Sequence, residues 1–371
     1  MATARHLATL GLVAALGACG PHGSGDDDQP RPRDAAVDAP VDAGIDAPPE
    51  PPPIPAHCFA AAERGLAWLV SQQNIDGSWG HTYPVATTAF AVLKLETYAR
   101  ELGRAPSDPG FQYATQVARG LDYLFNAAQT TAIGPQPAGN PDTNGNGYGL
   151  SFSSLVYEDA IVLMAIAGGG EPDRMVTSAT SVLHGWTFRR VVVDLVDYLA
   201  FAQSDGTAAN AFPCNRGGWR YGAFDQAAES GDNSVSQWVT LGLEYARHPN
   251  YDFEITPPAW VTSELARWVQ CIQIRDGSGD DGASGYDAPD NGFFVNSYKT
   301  GALVQQLSFL GAQSNDPAPA AALSYLFRKW NDFSGAGWHG SPSDYLSMYS
   351  IMKGMESTSR MSHAIDGFCA L

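Results

Sequence analysis

Five times along the chain an amphipathic segment runs into a glycine-containing turn that carries an aromatic residue, and a second, more uniformly apolar segment follows. The clearest copy reads Arg64-Gly65-Leu66-Ala67-Trp68-Leu69-Val70-Ser71-Gln72-Gln73-Asn74-Ile75-Asp76-Gly77-Ser78-Trp79. Weaker copies lead with Gly120-Leu121-Asp122-Tyr123-Leu124, Asp194-Leu195-Val196-Asp197-Tyr198-Leu199 with Gln203, Arg267-Trp268-Val269 with Gln273, and Leu323-Ser324-Tyr325-Leu326. The turns are Ser78-Trp79, Gly147-Tyr148, Gly218-Trp219, Gly285-Tyr286 and Gly337-Trp338. Their spacing of roughly 50 to 70 residues exceeds that of the common helical solenoids. Each unit is therefore predicted to be a helix, a turn and a second helix.

The second helices are predicted at 86–100, 155–167, 233–247, 297–310 and 345–355. A run such as Ala160-Ile161-Val162-Leu163-Met164-Ala165-Ile166 is apolar on every side and belongs inside. First helices such as 58–72 are apolar on one face only and belong outside. Strand signals are scarce; Arg190-Val191-Val192-Val193 is β-branched but runs into the helical spacing of Leu195, Tyr198 and Leu199. The fold expected is all-α, an α/α toroid of five hairpins over residues 58–371, with a cavity on its axis.

The chain's 371 residues carry a formal charge of -18 and a pI near 4.6. That field repels a phosphate backbone, so nucleic acid is excluded as a partner. At the start, Arg5 and His6 precede an apolar run from Leu7 to Ala18, too short to span a bilayer and typical of a secretory signal. Leu16-Gly17-Ala18-Cys19 resembles the bacterial lipoprotein box. That resemblance implies a signal peptide over 1–18 and a lipid anchor on Cys19, which would hold the protein on a membrane, facing the periplasm or the cell surface. Gly20, in place of a retention aspartate, points to the outer membrane. Residues 19–57 form an acidic tether rich in Pro, Asp and Ala, a composition that resists collapse.

Export leaves Cys58, Cys214, Cys271 and Cys369 in an oxidising compartment, which predicts two disulfides. Three pairings are open. The one favoured joins Cys58 to Cys369 as a terminal clasp and Cys214 to Cys271 between neighbouring repeats.

Residues 64–79 are similar to the Gln-Trp repeat of squalene-hopene cyclases and of related prenyltransferase/squalene oxidase repeat proteins, and the weaker copies extend the resemblance over 58–356. The resemblance implies the terpenoid cyclase/prenyltransferase-like toroid. It also implies that Gln72 or Gln73 satisfies backbone groups at a helix end while Trp79 packs against the turn. The catalytic sets of the family do not follow. No Asp-Xaa-Asp-Asp acid motif occurs, and Asp232-Asn233 lacks the paired carboxylates that raise one pKa. Val295-Asn296-Ser297-Tyr298-Lys299 offers no Asp-Gly-Cys, and Asp344-Tyr345-Leu346-Ser347 has serine where the transferases place histidine, so no zinc site is expected.

Polar residues at the starts of the inner helices share one mouth of the predicted cavity. Asp232, Asp159 and Asp344 are the candidate catalytic acids, with helix capping as the alternative role of each. Trp219, Arg220, Tyr221, Gln237, Trp238, Tyr298 and Lys299 are candidate ligand-binding residues. Asp142-Thr143-Asn144-Gly145-Asn146-Gly147 begins like an EF-type loop, making Asp142, Asn144 and Asn146 candidate calcium ligands. Ser153 replaces the bidentate glutamate at its twelfth position, and a plain Asx-rich turn is the alternative. These features point to an exported lipoprotein that binds or recognises an isoprenoid, lipid or saccharide ligand in its cavity. The competing readings are a cyclase-like isomerase with an Asp general acid, a polysaccharide lyase-like enzyme, and a structural interaction module.

Overall fold

The computed structural model describes residues 56–205, 214–223, 231–289, 295–330 and 345–357. The described residues form α1 (Ala56–Ser71), α2 (Pro84–Glu101), α3 (Ala114–Ala127), α4 (Val156–Gly168), α5 (Phe188–Phe201), α6 (Asn233–Arg247), α7 (Ala259–Ile272), α8 (Ser297–Phe309), α9 (Pro317–Lys329) and α10 (Tyr345–Ser357). All are helices that the repeat predicts, and the fold is mostly helical. No described helix is long and apolar enough to cross a membrane.

The even-numbered helices pack on one another in chain order, α2 on α4, α4 on α6, α6 on α8 and α8 on α10. The odd-numbered ones pack against them and carry exposed groups such as Trp68 and Phe327. In α4 every residue except Tyr157 is buried, as its all-round apolar sequence requires. The first, third and last of the described even-numbered helices from α2, α6 and α10 meet through their rings. Phe90 lies 5.3 Å from Trp238 and 6.0 Å from Tyr349, and Trp238 stacks on Tyr349 at 5.6 Å.

One device joins successive hairpins. Gln73 Nε2 donates to the Gly77 and Gln116 carbonyls, at 3.0 Å each. Gln203 Nε2 donates to Gly217 at 2.8 Å and Val261 at 3.0 Å, and Gln273 Nε2 to Gly282 at 3.2 Å and Ala318 at 2.9 Å. Each glutamine thus ties its own turn to the start of the next outer helix. Gly77, Gly217 and Gly282 have φ of 93°, 89° and 92°, and a Cβ there would meet the carbonyl of Arg119, Glu264 or Ala321 within 2.3 Å. Only glycine fits such a left-handed position against a neighbouring backbone. Indole Nε1 groups of Trp79 and Trp219 donate back to the Leu69 and Leu199 carbonyls, at 2.7 Å each.

A second device links each of the four described turns to the inner helix that follows. The N–H groups of Trp79, Phe152, Trp219 and Ser284 donate to Thr88 Oγ1 (2.9 Å), Asp159 Oδ1 (2.6 Å), Ser236 Oγ (2.9 Å) and Thr300 Oγ1 (3.2 Å). These bonds fix the alignment of the repeats and correct two turn assignments. Phe152, not Tyr148, takes the tryptophan's place in the second copy, and Ser284, not Tyr286, takes it in the fourth.

Tyr148 instead opens a strand that the sequence does not announce. Gln129–Ala132 (β1) pairs antiparallel with Tyr148–Ser151 (β2), Gln129 opposite Ser151. β2 presses on α5 so closely that a Cβ on Gly149 would sit 2.8 Å from Tyr198 Cα. The valine run at 191–193 is helical, as expected. Cys214 and Cys271 form a disulfide with Cα atoms 5.6 Å apart, tying the segment before Trp219 to α7. The expected Cys58–Cys369 clasp lies outside the residues whose side chains are described.

Candidate functional site: a row of tyrosines

The N-terminal ends of three inner helices, α2, α4 and α6, gather a row of four tyrosines. Tyr83 is the residue before α2, held at φ 53° and ψ 54°, a conformation costly for a tyrosine. Tyr157 lies in the first turn of α4. Their rings meet edge to face at 6.3 Å, and Tyr157 meets Tyr221 in the same way at 6.2 Å. The hydroxyls of Tyr221 and Tyr286 lie 3.2 Å apart. The backbone holds the row in register: Val156 N–H donates to the Tyr221 carbonyl at 2.9 Å, and Asn233 N–H to that of Tyr286 at 2.8 Å. Tyr221 and Tyr286 thus sit at the heads of α4 and α6, the inner helices of the repeats before their own, whereas Tyr83 and Tyr157 stand at the heads of their own helices. The rings of Tyr83, Tyr157 and Tyr286 are half-buried, and Tyr221 is 39% exposed. Burial raises the pKa values of the Tyr157, Tyr221 and Tyr286 phenols, so at neutral pH they are uncharged groups that donate and accept.

Asp232 lies beside Tyr221 and Tyr286. Its Oδ1 caps α6, accepting from Ser234 N–H at 2.7 Å and Ser234 Oγ at 2.6 Å. Capping, the alternative role, is therefore real. The side chain is wholly buried, and its Oδ2 has no donor in hydrogen-bonding geometry. Burial pushes its pKa up; the Ser234 hydroxyl, the neighbouring Tyr286 hydroxyl and Lys299 partly counter the push. Lys299 stands at the same place, its Nζ 4.2 Å from the Tyr298 ring centre and 5.5 Å from that of Tyr286. Arg220 faces Asp287 at 4.0 Å. A buried acid beside neutral phenols and a lysine can hold or pass a proton, and the phenols can bond to a hydroxylated ligand.

Other sequence candidates serve the scaffold instead. Trp219 is fully buried, with its indole N–H committed to Leu199. Trp238 belongs to the ring cluster with Phe90 and Tyr349. Gln237 bridges three inner helices, its Nε2 donating to Tyr298 Oη at 2.6 Å while its Oε1 accepts from Ser350 Oγ at 2.8 Å. Tyr298 is buried by that same bridge. Asp159 is the carboxylate version of the turn-to-helix tie, also accepting from Ser153 N–H at 3.1 Å; burial pushes its pKa well up. Asp344 lies outside the described residues. Of the sequence candidates, Asp232, Tyr221 and Lys299 come together beside Tyr286, and Arg220 is the chain neighbour of Tyr221. Tyr83, Tyr157 and Tyr286 are the further members; a tyrosine at the start of an inner helix signals the first two, whereas only the backbone bond from Asn233 brings Tyr286 into the row.

The 142–147 loop is closed on itself and on α5. The Asp142 carboxylate accepts from the N–H groups of Gly145 (2.7 Å), Asn146 (3.2 Å) and Gly147 (2.9 Å). The Asn144 and Asn146 amides donate to Asp194, and Thr143 donates to Asp197. The turn alternative accounts for these contacts. Among the described residues no group of three His, Cys, Asp or Glu side chains is arranged to hold a metal ion.

No family model matches the chain, and no curated protein matches it. Among solved structures, a crystal structure of a protein from Actinoplanes is similar over 82% of this chain and 85% of its own, at 14% identity and a TM-score of 0.43.

Proposed function

We propose that this protein is an exported lipoprotein, anchored through Cys19, whose five hairpins close into a cyclase/prenyltransferase-like α/α toroid, and that it binds a polar, hydroxyl-bearing ligand at the row of tyrosines. The observation that carries the reading is the row Tyr83, Tyr157, Tyr221 and Tyr286, assembled from successive repeats and ending beside buried Asp232. Neutral phenols offer ring faces and paired donor and acceptor functions, the combination that suits a saccharide-like surface. The contact of Phe90, Trp238 and Tyr349 supports the same choice. Rings 5.3 to 6.0 Å apart leave no passage between them for an isoprenoid chain at that depth.

Native mass spectrometry of protein purified without detergent, joined to a glycan-array screen, tests this function. A bound saccharide lost in Tyr221→Ala and Tyr157→Ala supports it. A retained lipid, or saccharide binding indifferent to both substitutions, refutes it. A second reading, an enzyme using Asp232 as general acid, is favoured by that carboxyl's complete burial and raised pKa. It requires turnover of the bound ligand that Asp232→Asn abolishes while binding persists.

A further inference from the structure

Three joints between repeats assemble the row of tyrosines, and the first is built differently from the other two. In those two, an N–H at the head of an inner helix donates to the carbonyl of the next repeat's tyrosine: Val156 to Tyr221 at 2.9 Å, and Asn233 to Tyr286 at 2.8 Å. At the head of α2 that arrangement is not open, because the Tyr157 carbonyl lies within α4 and belongs to the helical ladder. The residue after it supplies an acceptor instead. Glu158 Oε2 accepts from Ala86 N–H at 3.1 Å, across a separation of 72 residues. Glu158 is only 3% exposed, and a carboxylate in such a place is costly unless it is hydrogen-bonded. The positive end of a helix is where a carboxylate is favoured.

The head of α2 is poorly capped by its own sequence. Pro84 has no N–H, and the Tyr83 side chain makes no capping bond. Tyr83 is also left-handed in front of a proline, where a tyrosine prefers extended backbone. Its carbonyl accepts from Thr87 N–H and Thr87 Oγ1, at 3.0 Å each, so Tyr83 moves with the first turn of α2. Two consecutive residues of α4 therefore grip one end of α2. Tyr157 meets the Tyr83 ring edge to face at 6.3 Å, and Glu158 holds the third residue of the helix. A strained residue fixed by its surroundings is what a preorganised binding wall requires.

We propose that Glu158 is a positioning residue of the ligand site: its bond to Ala86 keeps the head of α2 in place, and so sets Tyr83 against Tyr157 as the first wall of the row. The effect on ligand binding rests on the saccharide reading, whereas the hold on Tyr83 does not.

The test compares Glu158→Ala and Glu158→Gln with the parent by NMR of isotope-labelled tyrosines and by binding to the arrayed glycans. Tyr83→Phe and Tyr157→Phe assign the two residues. In Glu158→Ala the Tyr83 Cα shift should leave its left-handed value, its ring contact with Tyr157 should weaken, and glycan affinity should fall about tenfold through lost preorganisation. Glu158→Gln keeps an oxygen acceptor for Ala86 and should restore all three. The Tyr286 signals should stay unchanged in both variants. If Glu158→Ala fails to fold, Glu158→Asp, which keeps the charge but is one methylene too short for the bond, takes its place. A folded Glu158→Ala variant with the parent's Tyr83 signals overturns the proposal, as does a folded Glu158→Gln variant that behaves like Glu158→Ala. A parent that binds no arrayed glycan refutes the saccharide reading, and the Tyr83 signals then decide the positioning role alone.

Discussion

Replacing Gln203 by alanine isolates what the repeated glutamine contributes. Its Nε2 bonds to Gly217 at 2.8 Å and Val261 at 3.0 Å, and the residue is 0% exposed. Truncation leaves the Gly217 carbonyl buried without this donor, at about 1 to 3 kcal/mol, and removes a second bond worth about 1 kcal/mol. The void adds about 1 kcal/mol, and relief from burying the amide subtracts a similar amount. A loss of about 3 kcal/mol is expected. Gln73 makes the same two kinds of bond at a half-exposed position, where water replaces the amide, so Gln73→Ala should cost only about 1 kcal/mol. Gln273, 7% exposed, should fall between them. Guanidinium unfolding followed by tryptophan fluorescence and circular dichroism measures all three, and Gln203→Leu, which keeps the volume but not the donors, separates bonding from packing. Equal losses at the three sites, or a Gln203→Leu variant as stable as the parent, would refute the assignment of this energy to the amide bonds.

Stability should also rise on mild acidification. Burial pushes the Asp197 pKa up to about 6, and moves Asp159, Glu96 and Asp232 the same way. Between the unfolded value near 4 and the folded one, the native state holds more protons, so unfolding free energy falls as pH rises through that window. Asp197→Asn should therefore help most at pH 7.5, by at most about 3 kcal/mol, and little at pH 4.5; an equal effect at both pH values in chemical denaturation would contradict this. Cys271→Ser opens a covalent loop spanning a separation of 57 residues, for an expected loss of about 4 kcal/mol. A variant with an unchanged unfolding midpoint would show that the loop is ordered without the bond.

Helices and their connections are unequally legible in the sequence. Helix positions followed from apolar spacing, which depends on residues three and four apart. The valine run at 191–193 was correctly a helix because its neighbours kept that spacing. The β1–β2 hairpin was not announced: its strands have four residues each, too few for an alternating pattern, and β2 is held by the close approach of Gly149 to α5. Gly285-Tyr286 has the look of the fourth turn, yet the residue in the tryptophan's place is Ser284, which carries no aromatic ring to mark it. Only the Ser284 to Thr300 bond sets that register.

The sequence by itself determined the alternation of outer and inner helices, because burial all round or on one face is written in local composition. It also determined the acid balance, and among three open cysteine pairings it favoured the Cys214–Cys271 bond that the structure contains. Tertiary structure alone decided which aromatics pack together and which form a row. Trp238 and Tyr221 are equally plausible ligand platforms in one dimension, yet Trp238 meets rings from α2 and α10 whereas Tyr221 meets its neighbours at the helix heads. The same holds for Asp159 and Asp232, two carboxylates at inner-helix starts. One carboxylate is committed to the backbone of its own turn, and the other lies beside phenols from adjoining repeats. The reason is physical: a side chain's partners here come from hairpins 60 or more residues away, and no local pattern encodes them.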